Sequence, residues 1–118
     1  MNQKPAEPGI REVVQQLADA LGPTMVAAMA GDRVRLSVND WVLEDGPVPD
    51  EDEEARLRFA YEQWNLLAWA EGPDYARAWF IGANPKLGDD SPVAAIREGR
   101  FREVYIAARA VVDDVWAD

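Results

Sequence analysis

Apolar residues recur at helical spacing along most of the chain, and the breaks in this pattern coincide with glycine and proline. The first such segment begins at Ile10 and ends at Gly22-Pro23, and a second, shorter one follows and ends at Gly31. Apolar residues three and four positions apart share one face of an α-helix. The pattern therefore predicts two short amphipathic helices after a flexible, proline-containing tail over residues 1–9.

A third short helix is predicted to end at Trp41. Ser37 is a good N-cap with an acid, Asp40, three residues later, although the alternation over residues 33–38 is also typical of a strand. Two short helices, a glycine-containing turn and a third helix have the order of a helix-turn-helix, which we place at residues 10–49. The candidate DNA-contacting residues are Arg33, Arg35, Ser37 and Asn39.

The acidic residues of the chain are concentrated before its longest predicted helix. Seven of them, and no Lys or Arg, lie between Glu44 and Glu54, so the remainder of the chain carries only −3 of the formal net charge of −10. Such a segment repels DNA, and this makes DNA binding doubtful. We therefore expect residues 10–49 to be a degenerate helix-turn-helix that serves as a packing or dimerisation unit. The acidic segment also has a structural explanation, because negative charge is favourable at the start of a helix.

That longest helix is predicted from Asp50 to Glu71, and its apolar residues occupy more than one stripe. The wide apolar surface fits either core packing from two sides or a second contact surface, namely a homodimer seam or a groove for a partner. The principal stripe and the residues that widen it are Leu57, Ala60, Tyr61, Trp64, Leu67 and Ala68, with Phe59, Leu66 and Trp69.

The segment from Gly72 to Gly99 contains most of the turn signals. Gly72-Pro73 breaks the long helix, Asp74 is the expected cap of the next helix, and Asn84-Pro85 predicts that this helix stops near Gly82. Ser91-Pro92 then predicts the N-cap and first residue of a short helix that ends at Gly99. A final helix follows, with the predicted buried face Phe101, Val104, Tyr105, Ala108, Val111, Val112 and Val115.

The composition argues against catalysis. The chain contains no Cys and no His, so thiolate nucleophiles and the usual general base near neutral pH are both missing. No glycine-rich phosphate loop or calcium-loop spacing occurs, and no apolar run approaches the roughly 20 residues that span a bilayer. We therefore expect a binding protein that is not an enzyme and has no cofactor and no metal site. The predicted elements make it all-α, and we expect it to be cytoplasmic, without membrane contact.

The corner segment resembles a known family. It is similar to the toxin-binding domain of the Xre/MbcA/ParS antitoxins, which neutralise RES-domain toxins. The resemblance rests on Trp79-Phe80, on Asn84-Pro85 with Leu87, and on Pro92 and Gly99 before an amphipathic helix. The resemblance is good from about Tyr75 to Asp118 and traceable from about Leu17 to Trp41. It implies a helix-turn-helix followed by a long helix and a toxin-binding region, with residues 50–118 forming this second part.

The resemblance also implies a function. The partner would be a RES-domain toxin, an enzyme that degrades or modifies NAD and is encoded by a neighbouring gene, and the C-terminal tail would cover its active site. We expect a homo-oligomer or a toxin–antitoxin hetero-oligomer. The alternatives are a DNA-binding transcriptional regulator and an orphan or phage accessory protein without a toxin. The candidate toxin-binding residues are Trp79, Phe80, Asn84, Pro85, Leu87, Val112, Asp113, Asp114, Trp116 and Asp118.

Overall fold

Helices account for the regular structure throughout residues 7–31 and 36–116, which are the residues that the computed structural model describes. No strand occurs in these ranges, so the all-α prediction is confirmed. A 3-10 turn, Pro85–Leu87, lies between the fifth and sixth helices. The helices are α1 (Ile10–Leu21), α2 (Pro23–Ala30), α3 (Leu36–Trp41), α4 (Glu51–Glu71), α5 (Pro73–Ile81), α6 (Pro92–Arg97) and α7 (Phe101–Trp116).

Most helix ends lie where glycine and proline predict them. Gly22 ends α1 by donating its N–H to the carbonyl of Ala18, and Pro23 occupies the first position of α2. Gly99 adopts φ 75°, the left-handed region that glycine enters without a steric penalty, and donates its N–H to Ile96 at 2.9 Å. The predicted boundaries of α1, α2 and α6 are thus confirmed to within one residue.

Two predicted caps are wrong. Gly72 is the N-cap of α5 and Pro73 its first residue, so Asp74 lies inside the first turn instead of capping it. Leu36 is already helical, which moves Ser37 from the predicted N-cap into the first turn of α3 and excludes a strand over residues 36–38. Residues 33–35 of the strand alternative, and residues 1–6 of the predicted tail, lie outside the described part. Residues 7–9 precede α1 as non-helical chain, and the Pro8 carbonyl accepts a hydrogen bond from Arg58 at 3.0 Å.

The start of α4 gives the acidic segment a structural role. Asp50 accepts a hydrogen bond from the Glu53 N–H, and the Glu53 carboxylate accepts one from the Asp50 N–H, both at 2.8 Å. This reciprocal capping box satisfies two backbone donors that a helix start otherwise leaves without partners. The four acidic residues of the first turn also oppose the positive end of the helix dipole.

Helix α4 is the centre of the core. Leu57, Ala60 and Leu67 are fully buried, and helices α1, α2, α5, α6 and α7 all contact α4. On a second side, Phe59 stacks on Phe101 of α7 with ring centroids 4.5 Å apart. Here core packing from two sides accounts for the wide apolar surface. Further along the same helix, Trp69 keeps 68% of its surface exposed.

Arginines from distant parts of the chain bind the carbonyls at helix C-termini. Arg77 donates to the Ala20 carbonyl at the end of α1 at 2.9 Å, and Arg56 donates to that of Ala30 at the end of α2 at 3.4 Å. Arg11 donates to the Trp41 carbonyl of α3 at 3.2 Å and also to carbonyls of the following loop, including that of Gly46 at 2.6 Å. These contacts satisfy acceptors that a helix end leaves without partners, and each ties two distant segments together.

We expect Phe80→Ala to lower the free energy of unfolding by about 3–5 kcal/mol, because it leaves a cavity in a fully buried part of the core. The matched control is Ile81→Ala, the next residue along α5, whose side chain is 52% exposed. We expect that change to stay within about 0.5 kcal/mol. Urea denaturation followed by circular dichroism measures both values, and similar losses for the two variants would contradict the placement of Phe80.

Candidate functional site

The corner between α5 and α6 is fixed by Asn84. Its side-chain Oδ1 accepts a hydrogen bond from the Lys86 N–H at 3.0 Å, and its carbonyl accepts two more, from the N–H groups of Leu87 and Asp89, both at 2.9 Å. The predicted stop near Gly82 is confirmed, because Gly82 ends α5 in an extended conformation. Leu87 turns inwards and is almost fully buried, which anchors the corner to the core.

Two consecutive residues of the corner adopt left-handed backbone conformations. Gly88 has φ 66° and Asp89 has φ 70°. Glycine enters this region without a penalty, and aspartate is among the few other residues that are found there regularly. The chain thereby reverses its direction within a few residues and delivers Ser91, which caps α6 through a hydrogen bond from the Ala94 N–H at 3.1 Å.

Arg100 connects this corner to the start of α7. Its guanidinium donates to the Leu87 carbonyl at 3.2 Å, to Asp90 at 2.8 Å and to Glu103 at 2.5 Å. The hydrogen bonds to Glu103 and then to Asp90 raise the pKa of Arg100 above its ordinary value. The guanidinium therefore stays charged, and it fixes the corner and α7 as one unit.

A groove with a volume of about 340 Å³ runs between this corner, α5 and α7. Tyr75 and Trp79 contribute its aromatic wall, and the 3-10 turn contributes Pro85 beside Asn84. Helix α7 contributes two small side chains, Ala107 and Ala110, together with Val111. Because the alanine side chains are small, they leave space for the groove. An aromatic wall facing small residues forms a slot that a flat or elongated side chain can enter.

Three charged residues line the same groove. Glu71 comes from the last turn of α4, Asp114 from the last turns of α7, and Lys86 from the corner. All three side chains are exposed. Glu71, Lys86 and Asp114 form no ion pair within 4 Å with another residue of the described ranges. Their charges are available to a partner.

Comparisons with known proteins identify one relevant fold. No family model matches the chain, and no curated protein matches it either. Among solved structures, a chain of the Mycobacterium tuberculosis MbcT–MbcA toxin–antitoxin complex superimposes with a TM-score of 0.73. The match covers 92% of this chain and 98% of that chain, at 22% sequence identity. The two chains share one fold. The family resemblance that the sequence indicates is thus confirmed at the level of the fold.

The structure places only some of the predicted toxin-binding residues in the groove. Trp79, Asn84, Pro85 and Asp114 line the groove together. Phe80, Leu87 and Val112 are buried, so packing is the role that the structure gives them. Asp113 is exposed and pairs with Arg109 at 3.3 Å. Asp118 and the Trp116 side chain lie outside the described part of the chain.

Sequence reasoning missed several lining residues of the groove. Tyr105 is half exposed, although the pattern predicts it on the buried face of α7, and Ala107 is buried in its place. Ala107 and Ala110 are three residues apart and therefore share one face of α7. Such a pair of small residues on a helix is a sequence signal that a neighbouring element packs closely there or that a groove lies there. Nothing in the local pattern pointed to Lys86 or Glu71, because the contact between the ends of α4, α5 and α7 is long-range.

The structure describes the side chain of one of the four predicted DNA-contacting residues. Asn39 is exposed on α3, whereas Arg33, Arg35 and the Ser37 side chain lie outside the described part. Of the nine Lys and Arg side chains in the described ranges, seven donate hydrogen bonds within the chain, which leaves Lys86 and Arg102. Those seven are engaged in holding the fold together and are less available to phosphates.

Two negative findings concern the described residues alone. They contain no group of three or more acidic side chains arranged to hold a metal ion. None of their helices is both long and apolar enough to cross a membrane.

We expect Arg100→Met to loosen the corner, because the Leu87 carbonyl, Asp90 and Glu103 lose a shared donor. Hydrogen exchange at the amides of Leu87 and Asp89 should accelerate by about tenfold or more, as local opening becomes easier. The control is Arg102→Met, one residue into the same helix and without a described partner. Unchanged exchange in the Arg100 variant would show that the corner holds without this guanidinium.

Proposed function

We propose that this chain is an antitoxin, a binding protein that holds a partner toxin inactive. The observation that carries the proposal is the shared fold with a chain of a toxin–antitoxin complex, which extends over nearly the whole length of both chains. The groove supports it, because aromatic side chains such as Tyr75 and Trp79 are enriched in protein contact surfaces. We infer a binding role without catalysis, since the chain has no His or Cys to serve as base or nucleophile.

The resemblance of the corner motif to the Xre/MbcA/ParS antitoxins favours a specific toxin class. We propose a RES-domain toxin that consumes NAD and is encoded by a neighbouring gene, with which this chain forms a hetero-oligomer in the cytoplasm. A site that holds the pyrophosphate of NAD normally carries Arg or Lys. Carboxylates at the end of α7 can replace the anionic groups of that ligand. Asp114 has no described partner, and Asp113 shares only an exposed pair with Arg109.

A DNA-binding regulator is the alternative, and less supports it. The exposed Asn39 on α3 is compatible with base contact. Against this, the acidic run follows directly, and most described cations are bound to the chain itself. We therefore propose that residues 10–49 are a degenerate helix-turn-helix that serves as a packing unit around α4. A linear fall of log affinity with log salt on promoter DNA would favour the alternative instead.

Co-expression with the neighbouring gene tests the proposal. We expect the neighbour alone to deplete cellular NAD and arrest growth, and co-expression of this chain to restore both. Affinity purification of the tagged chain should recover the neighbour, and the recovered protein should consume NAD only after separation. The Phe80→Ala variant, which we expect to be strongly destabilised, serves as the negative control. Growth arrest that this chain does not relieve would contradict the antitoxin proposal. A neighbour that does not consume NAD would contradict the proposed toxin class.

The same assay tests the C-terminal segment. Because Val112 is part of the core, the deletion must begin after it and remove residues 113–118. We expect this deletion, and the double change Asp113→Lys with Asp114→Lys, to keep the melting temperature nearly unchanged but to weaken inhibition by about tenfold or more. Lys changes at Glu51 and Asp52, at the far end of α4, are the matched controls for charge. Full neutralisation by the truncated chain would contradict the role of this segment.

A further inference from the structure

Helices α4 and α7 run in the same direction, and their C-terminal ends meet at the groove. Phe59, in the first half of α4, stacks on Phe101 at the start of α7. Further along, Glu71 in the last turn of α4 lines the groove together with Val111 and Asp114 of α7. Two helices aligned in this way place the negative ends of both dipoles at one end of the molecule.

The carboxylates there add to this negative potential. Neither α4 nor α7 has a basic residue in its last turn. Glu71 and Asp114 lie where a helix dipole disfavours an acid, and no cation of the described ranges pairs with either. The arginines that bind the C-terminal carbonyls of α1, α2 and α3 have no counterpart here. The N-terminal end of α5 begins at Pro73, close to Glu71, and its positive dipole end opposes part of this potential. The carboxylates of Glu71 and Asp114 are therefore what makes the groove complementary to a cation from outside.

The groove that Glu71 and Asp114 line also has aromatic side chains, Tyr75 and Trp79. Trp79 is half-buried and forms a T-shaped contact with Phe80, with ring centroids 5.3 Å apart, and Tyr75 is 44% exposed. A cation over an indole or phenol ring is attracted by the negative face of the ring. Among side chains, the planar guanidinium of arginine both stacks on an aromatic ring and pairs with a carboxylate. A compact ammonium uses only part of this surface.

We propose that the groove is a receptor for an arginine side chain of the protein partner. The guanidinium stacks on the wall of Trp79 and Tyr75, and it pairs with Glu71 and Asp114. This inference rests on the proposed function in that the partner is a protein, and it names the chemistry of the segment that the partner presents. Lys86 sets the selectivity on the corner side, because it repels the cation and favours a neutral or acidic neighbour of that arginine.

The test uses the full-length chain and two capped peptides. One is a pentapeptide of four alanines with a central arginine, and the other carries citrulline, which has the same shape without the charge. Nuclear magnetic resonance follows the indole N–H of Trp79, assigned with Trp79→Phe. We expect a saturable shift with the arginine peptide, at a Kd on the order of millimolar, and no saturable shift with the citrulline peptide.

Variants of the charged lining residues give changes of opposite sign. We expect Glu71→Gln and Asp114→Asn each to weaken arginine-peptide binding by about two- to fivefold, and Lys86→Gln to strengthen it by a similar factor. All three residues are exposed, so the melting temperature should stay the same, or rise where a carboxylate leaves a helix end. A purely structural role for the two acids would lower it instead.

Several results would overturn the proposal. Equal binding of both peptides would make the groove a simple apolar slot. Weaker binding after Lys86→Gln would indicate an anion site, and the absence of a saturable shift would mean that no arginine site exists. None of these results bears on growth rescue by co-expression, so failure of this inference and failure of the antitoxin proposal are distinguishable.

Discussion

The fold depends on the need to cover a 21-residue helix that has apolar side chains on several sides. A helix with a single apolar stripe is satisfied by one neighbouring layer, but α4 requires several. Its buried residues Leu57 and Leu67 face the inner core, and Phe59 requires α7 on a second side. Five other helices contact α4 as a result, and all five are shorter than α4.

Covering α4 in this way also determines where charge accumulates. The N-terminal end of α4 carries an acidic first turn that its dipole favours, so those acids contribute to stability. The C-terminal end carries Glu71, which the dipole of α4 disfavours and the dipole of the following helix α5 favours, beside Asp114 of the parallel helix α7. Both ends of α4 are therefore acidic. The first end is stabilised by a capping box, and the second end contains the groove.

Local signals explain how much of the structure could be predicted. Gly22-Pro23, Ser91-Pro92 and Gly99 act within a few residues of themselves, so the ends of α1, α2 and α6 could be derived from sequence. The cap of α5 was wrong because Gly72-Pro73 starts that helix before Asp74 can cap it. The groove could only partly be predicted. Trp79, Asn84 and Pro85 are marked by their own motif, and Lys86 follows them directly in the same turn, whereas Glu71 and Ala107 join them through packing between helices.

The same distinction applies to the buried members of the predicted site. Phe80, Leu87 and Val112 have the composition of an apolar contact surface, and sequence alone does not decide whether such residues face a partner or the core. The stacking of Phe59 on Phe101 and the buried residues Val104 and Ala108 together fix the rotation of α7 about its axis. With that rotation, Val112 is buried and Asp114 lines the groove.

We propose that the chain binds a partner toxin through the end formed by the groove and the C-terminal part of α7. Hydrogen–deuterium exchange of the chain, alone and in complex with the co-purified product of its neighbouring gene, locates the contact surface. We expect protection on complex formation to be concentrated in residues 71–86 and 107–116, with little change at the start of α4. Protection confined to α1, α2 and α3, with the groove unchanged, would show that the toxin binds elsewhere.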